Sequence, residues 1–449
     1  MENQQPAADD VIDFKAPFTL PENKFHTTTA ALNTSNDKLY LTDSSIDLPA
    51  VYVARVELEG SPDKDFGEGG WKAEQLDLDG YLVYNPAGLV PRGTAGADEG
   101  VIAGICTENA FGLVCFNADA SLDTGFGSEG KIVHRLLSAI KLNELKDEKS
   151  SEKNQRFKVV GSSGNLAPSG ANDGKFYGLM GGRFAEAGVL MRFLPDGKLD
   201  ETFGAGSKLP QGMVDVKYKD EGTGPVAVVH ADRDGVVVVG TIGRRGGFKL
   251  FFARYTQSGA LKEDFGENGF AVFTPAELGL PTNAFQMELN HVVKHPDGGF
   301  FASGYVMDDG TKGVIVRVDT FGKPDERFNG GKALQFEVPG ADETDFLFGG
   351  LALQFDGTLV AGGGVVDRSQ GYTRDMLVAR FLLTGELDTR FFERGWLRHR
   401  PFDNDYASMS NLLIHPDDKT IFLSGDAGTD DSLSRQEGVV VSISHASSS

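Results

Sequence analysis

Gly259-Ala-Leu-Lys-Glu-Asp-Phe-Gly-Glu-Asn-Gly-Phe270 decides the reading of the chain, because variants of it recur five more times. Its phenylalanine, Phe265, has counterparts at Phe66, Phe126, Phe203, Phe328 and Phe391, mostly sixty-odd residues apart. Self-similarity at a fixed period marks a repeat architecture, in which each unit cannot bury its own apolar face alone.

Two further signatures alternate with it. One is a turn followed by an apolar strand, as in Asp234-Gly-Val-Val-Val-Val-Gly240 and Asp297-Gly-Gly-Phe-Phe-Ala-Ser-Gly304. Asp-Gly between apolar runs is a strong hairpin signal. The other is an apolar strand with arginine near its end, as in Phe252-Ala-Arg-Tyr255 and Val378-Ala-Arg-Phe381. Each occurs seven times, against six Phe-Gly segments, which is what seven units joined by six junctions must show. The step from the arginine position to the phenylalanine is 11 residues at all six junctions, whereas the step from phenylalanine to the next turn runs from 26 to 47.

Each unit therefore reads as four strands, typified by 269–274, 287–294, 300–305 and 314–318. Runs such as Val236 to Val239 lack clean alternation, which suits strands covered on both faces. Radial repetition supplies those covers and leaves only short edges. The expectation is an all-β, seven-bladed β-propeller with four antiparallel strands per blade, filling 13–445 as one domain. Polar tails are expected at 1–12 and 446–449, and a polar insertion at about 138–171. The segment Phe14-Lys-Ala-Pro-Phe-Thr-Leu20 is expected to close the ring as the outer strand of the last blade.

Leu122-Asp-Thr-Gly-Phe-Gly-Ser-Glu-Gly130 and Asp196-Gly-Lys-Leu-Asp-Glu-Thr-Phe-Gly204 resemble the bacterial delta-sixty repeat, a family whose members form β-propellers. The resemblance spans roughly 14–444, with departures at Lys262, Asn329 and Phe392. It implies the fold and carries no catalytic motif.

Composition narrows function. Lys and Arg total 43 against 65 Asp and Glu, a formal charge of −22. Such a surface repels phosphate backbones, which excludes nucleic-acid binding as the expected role. The polar, acidic N-terminus lacks the basic and apolar regions of a secretory signal, and no run of some 18 apolar residues could span a bilayer. A cytoplasmic protein is expected, or one exported without a classical signal peptide. Cys106 and Cys115 are too few for a disulfide framework; two buried thiols are expected, with a cross-strand bridge the alternative.

Arginine precedes aspartate by eight residues in four junctions: Arg55 and Asp63, Arg192 and Asp200, Arg317 and Asp325, Arg380 and Asp388. Because the pattern repeats, and an active site is normally unique, these read as ion pairs pinning each junction and not as binding charges. At the break, Arg254 faces Lys262, with Asp264 the substitute partner. The phenylalanines are expected to plug the gaps between blades. Asp77-Leu-Asp-Gly80 and Asp232-Arg-Asp-Gly235 hint at calcium but complete no loop with the six to eight oxygens that ion wants, so they read as turns. His230, His295 and His415 mark a repeat position near the turn, not a metal cluster. No cofactor is expected.

In an up-and-down blade the constant links share one end of the ring and the variable ones share the other. Insertions gathered on one face often form the binding face. That face is expected to comprise 85–98, 141–170, 210–224, 242–247, 274–285, 339–348, 367–374, 402–408 and 426–437. Its expected contact residues are Asp308, Asp309, Asp342, Glu343, Asp345, Asp403, Asp405, Asp430 and Asp431, with Arg244 and Arg245 as basic exceptions. The expected function is a non-enzymatic, monomeric binding or scaffolding propeller for a protein or glycan. The alternative is a hydrolase or lactonase-like propeller with a metal ion in the central channel.

Overall fold

Tight Asp-Gly hairpins and β-branched runs assemble seven sheets of four antiparallel strands each, a seven-bladed β-propeller. The structure is a computed structural model. It describes residues 11–14, 29–33, 37–44, 50–78, 85–92, 100–107, 110–135, 163–170, 173–181, 188–231, 235–243, 247–340, 344–369, 373–400, 406–428 and 436–444. Blade 5 is representative, with Gln286–Lys294 innermost, then Phe300–Met307, Thr311–Val318 and Leu334–Phe336 at the rim. Inner strands pack against one another round the ring, and Tyr406–Ile414 of blade 7 meets Thr29–Asn33 of blade 1 to complete it. Among the described residues the one helical turn is a 3₁₀ turn at Asn329–Gly331, and no helix is long and apolar enough to cross a membrane.

Closure uses the N-terminal strand as expected, at a different place. Val11–Phe14 pairs antiparallel with the outer edge of Gln436–Ser444, Phe14 opposite Val441. The strand thus lies upstream of the expected 14–20 segment, whose remaining residues fall outside the described ones. Three stretches assigned to loops contain strands, among them Met213–Val216, the rim strand of blade 3, within 210–224. Asn85–Arg92 is the inner strand of blade 2, and Ser163–Pro168 is the inner strand of blade 3. The 85–98 and 210–224 assignments and the end of the insertion drawn at about 138–171 are corrected accordingly. Asn85–Arg92 accommodates Pro86 and Pro91 because an innermost strand has one edge without a ladder partner, where proline is tolerated.

The core is divided among the blade interfaces. One apolar cluster joins Tyr40, Val51, Val53 and Phe66 of blade 1 to Leu89, Val101, Ala103 and Val114 of blade 2, and comparable clusters occupy the other interfaces. Each of the six repeat phenylalanines is buried in one of them. The next blade roofs the ring with a glycine. A Cβ on Gly197 would run into the Phe126 ring and one on Gly322 into the Phe265 ring, and both glycines hold positive φ, +82° and +78°. The seventh interface has no such phenylalanine. It relies on Leu39, Leu41, Tyr52 and Val56 against Phe422 and Val440.

Chain direction then sorts the connections. Links from first to second strand and from third to fourth emerge at one end of the ring, the constant end, and all others at the opposite, variable end.

Candidate functional site

At the constant end the junction residues come together. Arg55, Arg192, Arg317 and Arg380 lie 2.7, 2.8, 2.9 and 3.0 Å from Asp63, Asp200, Asp325 and Asp388, all eight side chains being nearly shut off from water. Each guanidinium also stacks on a ring: Arg55 over Phe66, Arg192 over Phe203, Arg317 over Phe301 and Arg380 over Phe391. Arg55 reaches into the next blade, donating to the Ala118 carbonyl at 2.7 Å, and Arg192 does the same to Gln257. Burial opposes the charge on Asp63, but the Asp65 backbone N–H and the Arg55 guanidinium overcome it and hold the carboxyl below its usual range.

Two junctions depart from this plan. In blade 2 the arginine position is Cys115, and Arg92 from the end of the inner strand takes over, donating to Asp123 at 2.7 Å and to the Cys115 sulfur at 2.8 Å. No spacing rule links residues 92 and 123. In blade 4 the expected substitution does not form: Asp264 lies 3.1 Å from Lys262, while Arg254 donates to the Thr320 carbonyl and lies over Phe265. Cys106 and Cys115 are unbridged and buried, and they stand apart in register, opposite Phe111 and Ile102. Burial pushes the Cys106 thiol up to about 12 and the Cys115 thiol to about 11.

The histidines at the repeat position brace their turns, His295 and His415 receiving the N–H of Asp297 and Asp417 at 3.3 and 3.2 Å. Asp77 lies 3.6 Å from Arg135, and the remainder of both calcium-like stretches is largely outside the described residues. Among the described residues no group of three His, Cys, Asp or Glu side chains is placed to hold a metal ion.

At the variable end, Arg244, Arg245, Asp342, Glu343, Asp403, Asp405, Asp430 and Asp431 lie outside the described residues. Asp308, Asp309 and Asp345 are described, and they gather where blade 5 meets blade 6. Asp309 is exposed at the tip of the blade 5 turn. Asp345 accepts the Thr311 N–H across the interface at 2.7 Å and lies 3.4 Å from Arg368. Lys312 pairs with Glu337 at 2.8 Å, and that bond, with Asp308 and Asp309 nearby, raises its pKa.

Beneath these lies a network that the sequence did not flag. Arg398 bridges Asp367 at 3.1 Å and Asp375 at 2.5 Å, and Arg400 adds a second contact to Asp375 at 2.6 Å. Asp367 and Asp375 are only 1% and 3% exposed, so each carboxylate needs those partners. Burial works against the Asp367 charge, yet hydrogen bonds from Ser369 and Arg398 outweigh it and depress its pKa. The described part of this face is thus mixed in charge. Alternation by two placed Asp367, Asp375 and Arg398 on one side of blade 6, a signal readable only once the strands are known.

A family model described as a domain of unknown function (DUF5122) beta-propeller matches residues 101–126, which run from the second strand of blade 2 to its phenylalanine. No curated protein matches the chain at the sequence level. Among solved structures, the Dos1 propeller is 13% identical over 96% of this chain and 95% of its own, with a TM-score of 0.47. Drosophila Semaphorin 2a is 11% identical over 99% of this chain and 77% of its own, at 0.49. The polysaccharide lyase Uly1 is 9% identical over 97% of both, at 0.45. Likenesses this distant carry no argument about activity.

Proposed function

We propose that the protein is a non-enzymatic binding scaffold, built from repeats of the delta-sixty kind, that engages a protein or glycan partner through its variable end. One observation carries the reading: the connections that vary most in length, the blade-to-blade links of 6 to 27 residues, lie at one end of the ring, while the other end is stitched by a near-invariant arginine, aspartate and phenylalanine junction. A rigid ring with adaptable loops on one side is how repeat folds present a recognition surface. Among the described loops the exposed Asp309 and the half-buried Asp308 favour a partner carrying positive charge or many hydrogen-bond donors. A monomer in a cytoplasmic setting suits the free, buried thiols of Cys106 and Cys115.

The test compares the two ends. Chemical cross-linking in native lysate and a glycan array identify the partner. The Asp308→Lys, Asp309→Lys double variant and a constant-end Glu201→Lys, Glu263→Lys control are then measured against it. Loss confined to the variable-end pair supports the reading. Loss confined to the constant-end pair overturns it, as does the failure of both screens to yield a saturable partner.

A further inference from the structure

Four of the constant-end junctions share one plan, and a cavity lies beside the one in blade 3. Between blades 3 and 4 lies a cavity of about 280 Å³, walled by the buried Arg192 and Tyr177, with Asp173, Lys175, Thr202 and Ser258 around it. Two local features of blade 3 open it. Two residues past the junction aspartate, blades 5 and 6 carry Arg327 and Arg390, which fold back to within 2.6 Å of Asp325 and 2.7 Å of Asp388. In blade 3 that residue is Thr202, whose hydroxyl reaches Asp200 at 2.7 Å but whose short side chain leaves the space beyond it unfilled. In blade 1 the counterpart of Lys175 is Lys38, which is shared between Glu57 and Asp63, the latter at 3.4 Å. Blade 3 has Leu194 where blade 1 has Glu57, so Lys175 turns to Asp200 at 2.9 Å.

The chemistry of the wall narrows the occupant. Lys175 and Arg192 are balanced by Asp173 and Asp200, so an anion gains one cation and meets a rim carboxylate, and a cation fares no better. Hydrogen bonding remains on offer. The Lys175 ammonium has three N–H groups and Asp200 engages one. Asp173 receives the Ser169 hydroxyl and the Lys175 backbone N–H on a single oxygen, which leaves its second oxygen with acceptor capacity. The Thr202 hydroxyl donates to Asp200 at 2.7 Å and accepts from Arg192 at 2.9 Å, and that of Ser258 bonds Thr256 at 3.0 Å, so these two oxygens offer a ligand acceptor capacity in the main. The volume lies at the lower limit for small-molecule sites, of roughly 300 to 1,000 Å³, and suits one ring.

We propose that this cavity is a binding site for a neutral polyhydroxylated ligand the size of a single hexose, held between Lys175 and Asp173. It lies at the end of the ring opposite the proposed recognition loops, so neither reading depends on the other. Saturation-transfer NMR and calorimetry on the full chain, with methyl glucoside, methyl mannoside and methyl galactoside as probes and glucuronate as the acidic counterpart, test it. At least one hexoside is expected to bind with a millimolar Kd and glucuronate more weakly. Thr202→Arg installs the side chain that blades 5 and 6 already carry and is expected to abolish binding with the melting temperature kept. Lys175→Met is expected to weaken binding at least about tenfold. Lys198→Met, at an exposed lysine paired with Asp196, should leave it unchanged. Absence of saturable hexoside binding to the native protein, binding that survives in both Thr202→Arg and Lys175→Met, or a preference for glucuronate overturns the proposal.

Discussion

Replacing Phe328 by alanine tests how the blades are held together. The ring is 1% exposed and lies in the apolar cluster between blades 5 and 6 with Phe336, Phe348 and Phe381. It meets Phe301 edge-on, with centroids 5.2 Å apart and planes at 85°. Gly385 of the next blade sits close above it, where even a Cβ would come within 3.5 Å of the ring. Both walls are hydrogen-bonded sheets, so they cannot collapse into the vacated space. The cost should therefore fall in the upper range for aromatic truncation, about 3–5 kcal/mol, of which roughly 1 kcal/mol is the edge-on pair. Guanidinium unfolding followed by tryptophan fluorescence reads it out, since Trp396 packs against the same cluster. The midpoint should fall with the slope unchanged. Phe355→Ala is the control, because that ring is 83% exposed at a turn tip; it should move stability by no more than about 0.5 kcal/mol. If Phe328→Ala costs under about 1 kcal/mol, or no more than Phe355→Ala, the wedge account fails.

Arg92→Met should cost about 1–3 kcal/mol by stranding Asp123, and adding Cys115→Arg should restore most of it by rebuilding the arrangement of the other blades. A thermal melt without rescue would refute the equivalence. His291, half-buried opposite Ser303 with its Nδ1 shut off from water, has its pKa lowered to about 4 by desolvation. Between pH 6.5 and 4 the unfolded chain binds a proton there that the folded one refuses, so stability falls as pH drops through that window, by on the order of 3 kcal/mol. His291→Asn, copying Asn411 of blade 7, should flatten that part of the profile in pH-resolved denaturation. Gly304→Ala should cost at least about 2 kcal/mol, since its Cβ would overlap the Glu288 carbonyl oxygen. Gly364→Ala, whose Cβ would meet only Leu347 at 3.8 Å, should be close to neutral by the same melt.

The fold was legible because the repeat states it redundantly. One degenerate strand matters little when six others share its register, and the fixed 11-residue step ties Arg192 to Phe203 as firmly as Arg380 to Phe391. What escaped notice was whatever depends on position in space. Arg92 serves Asp123 because an inner strand and a rim turn end side by side. Asp367, Asp375 and Arg398 form one network only after three strands are laid in register. Asn85–Arg92 hid behind its prolines, which a ring interior tolerates and a buried strand would not. The cavity beside Thr202 becomes visible only by contrast with Arg327 and Arg390.

The way the circle is joined has a consequence for biosynthesis. Phe14 finds its partner at Val441, more than 400 residues further along the chain. At ordinary ribosomal speeds the segment containing it waits on the order of half a minute to a minute and a half before that partner leaves the exit tunnel. Throughout that interval the nascent arc has two raw ends, and a stalled ribosome would leave it open for any extended segment nearby to fill.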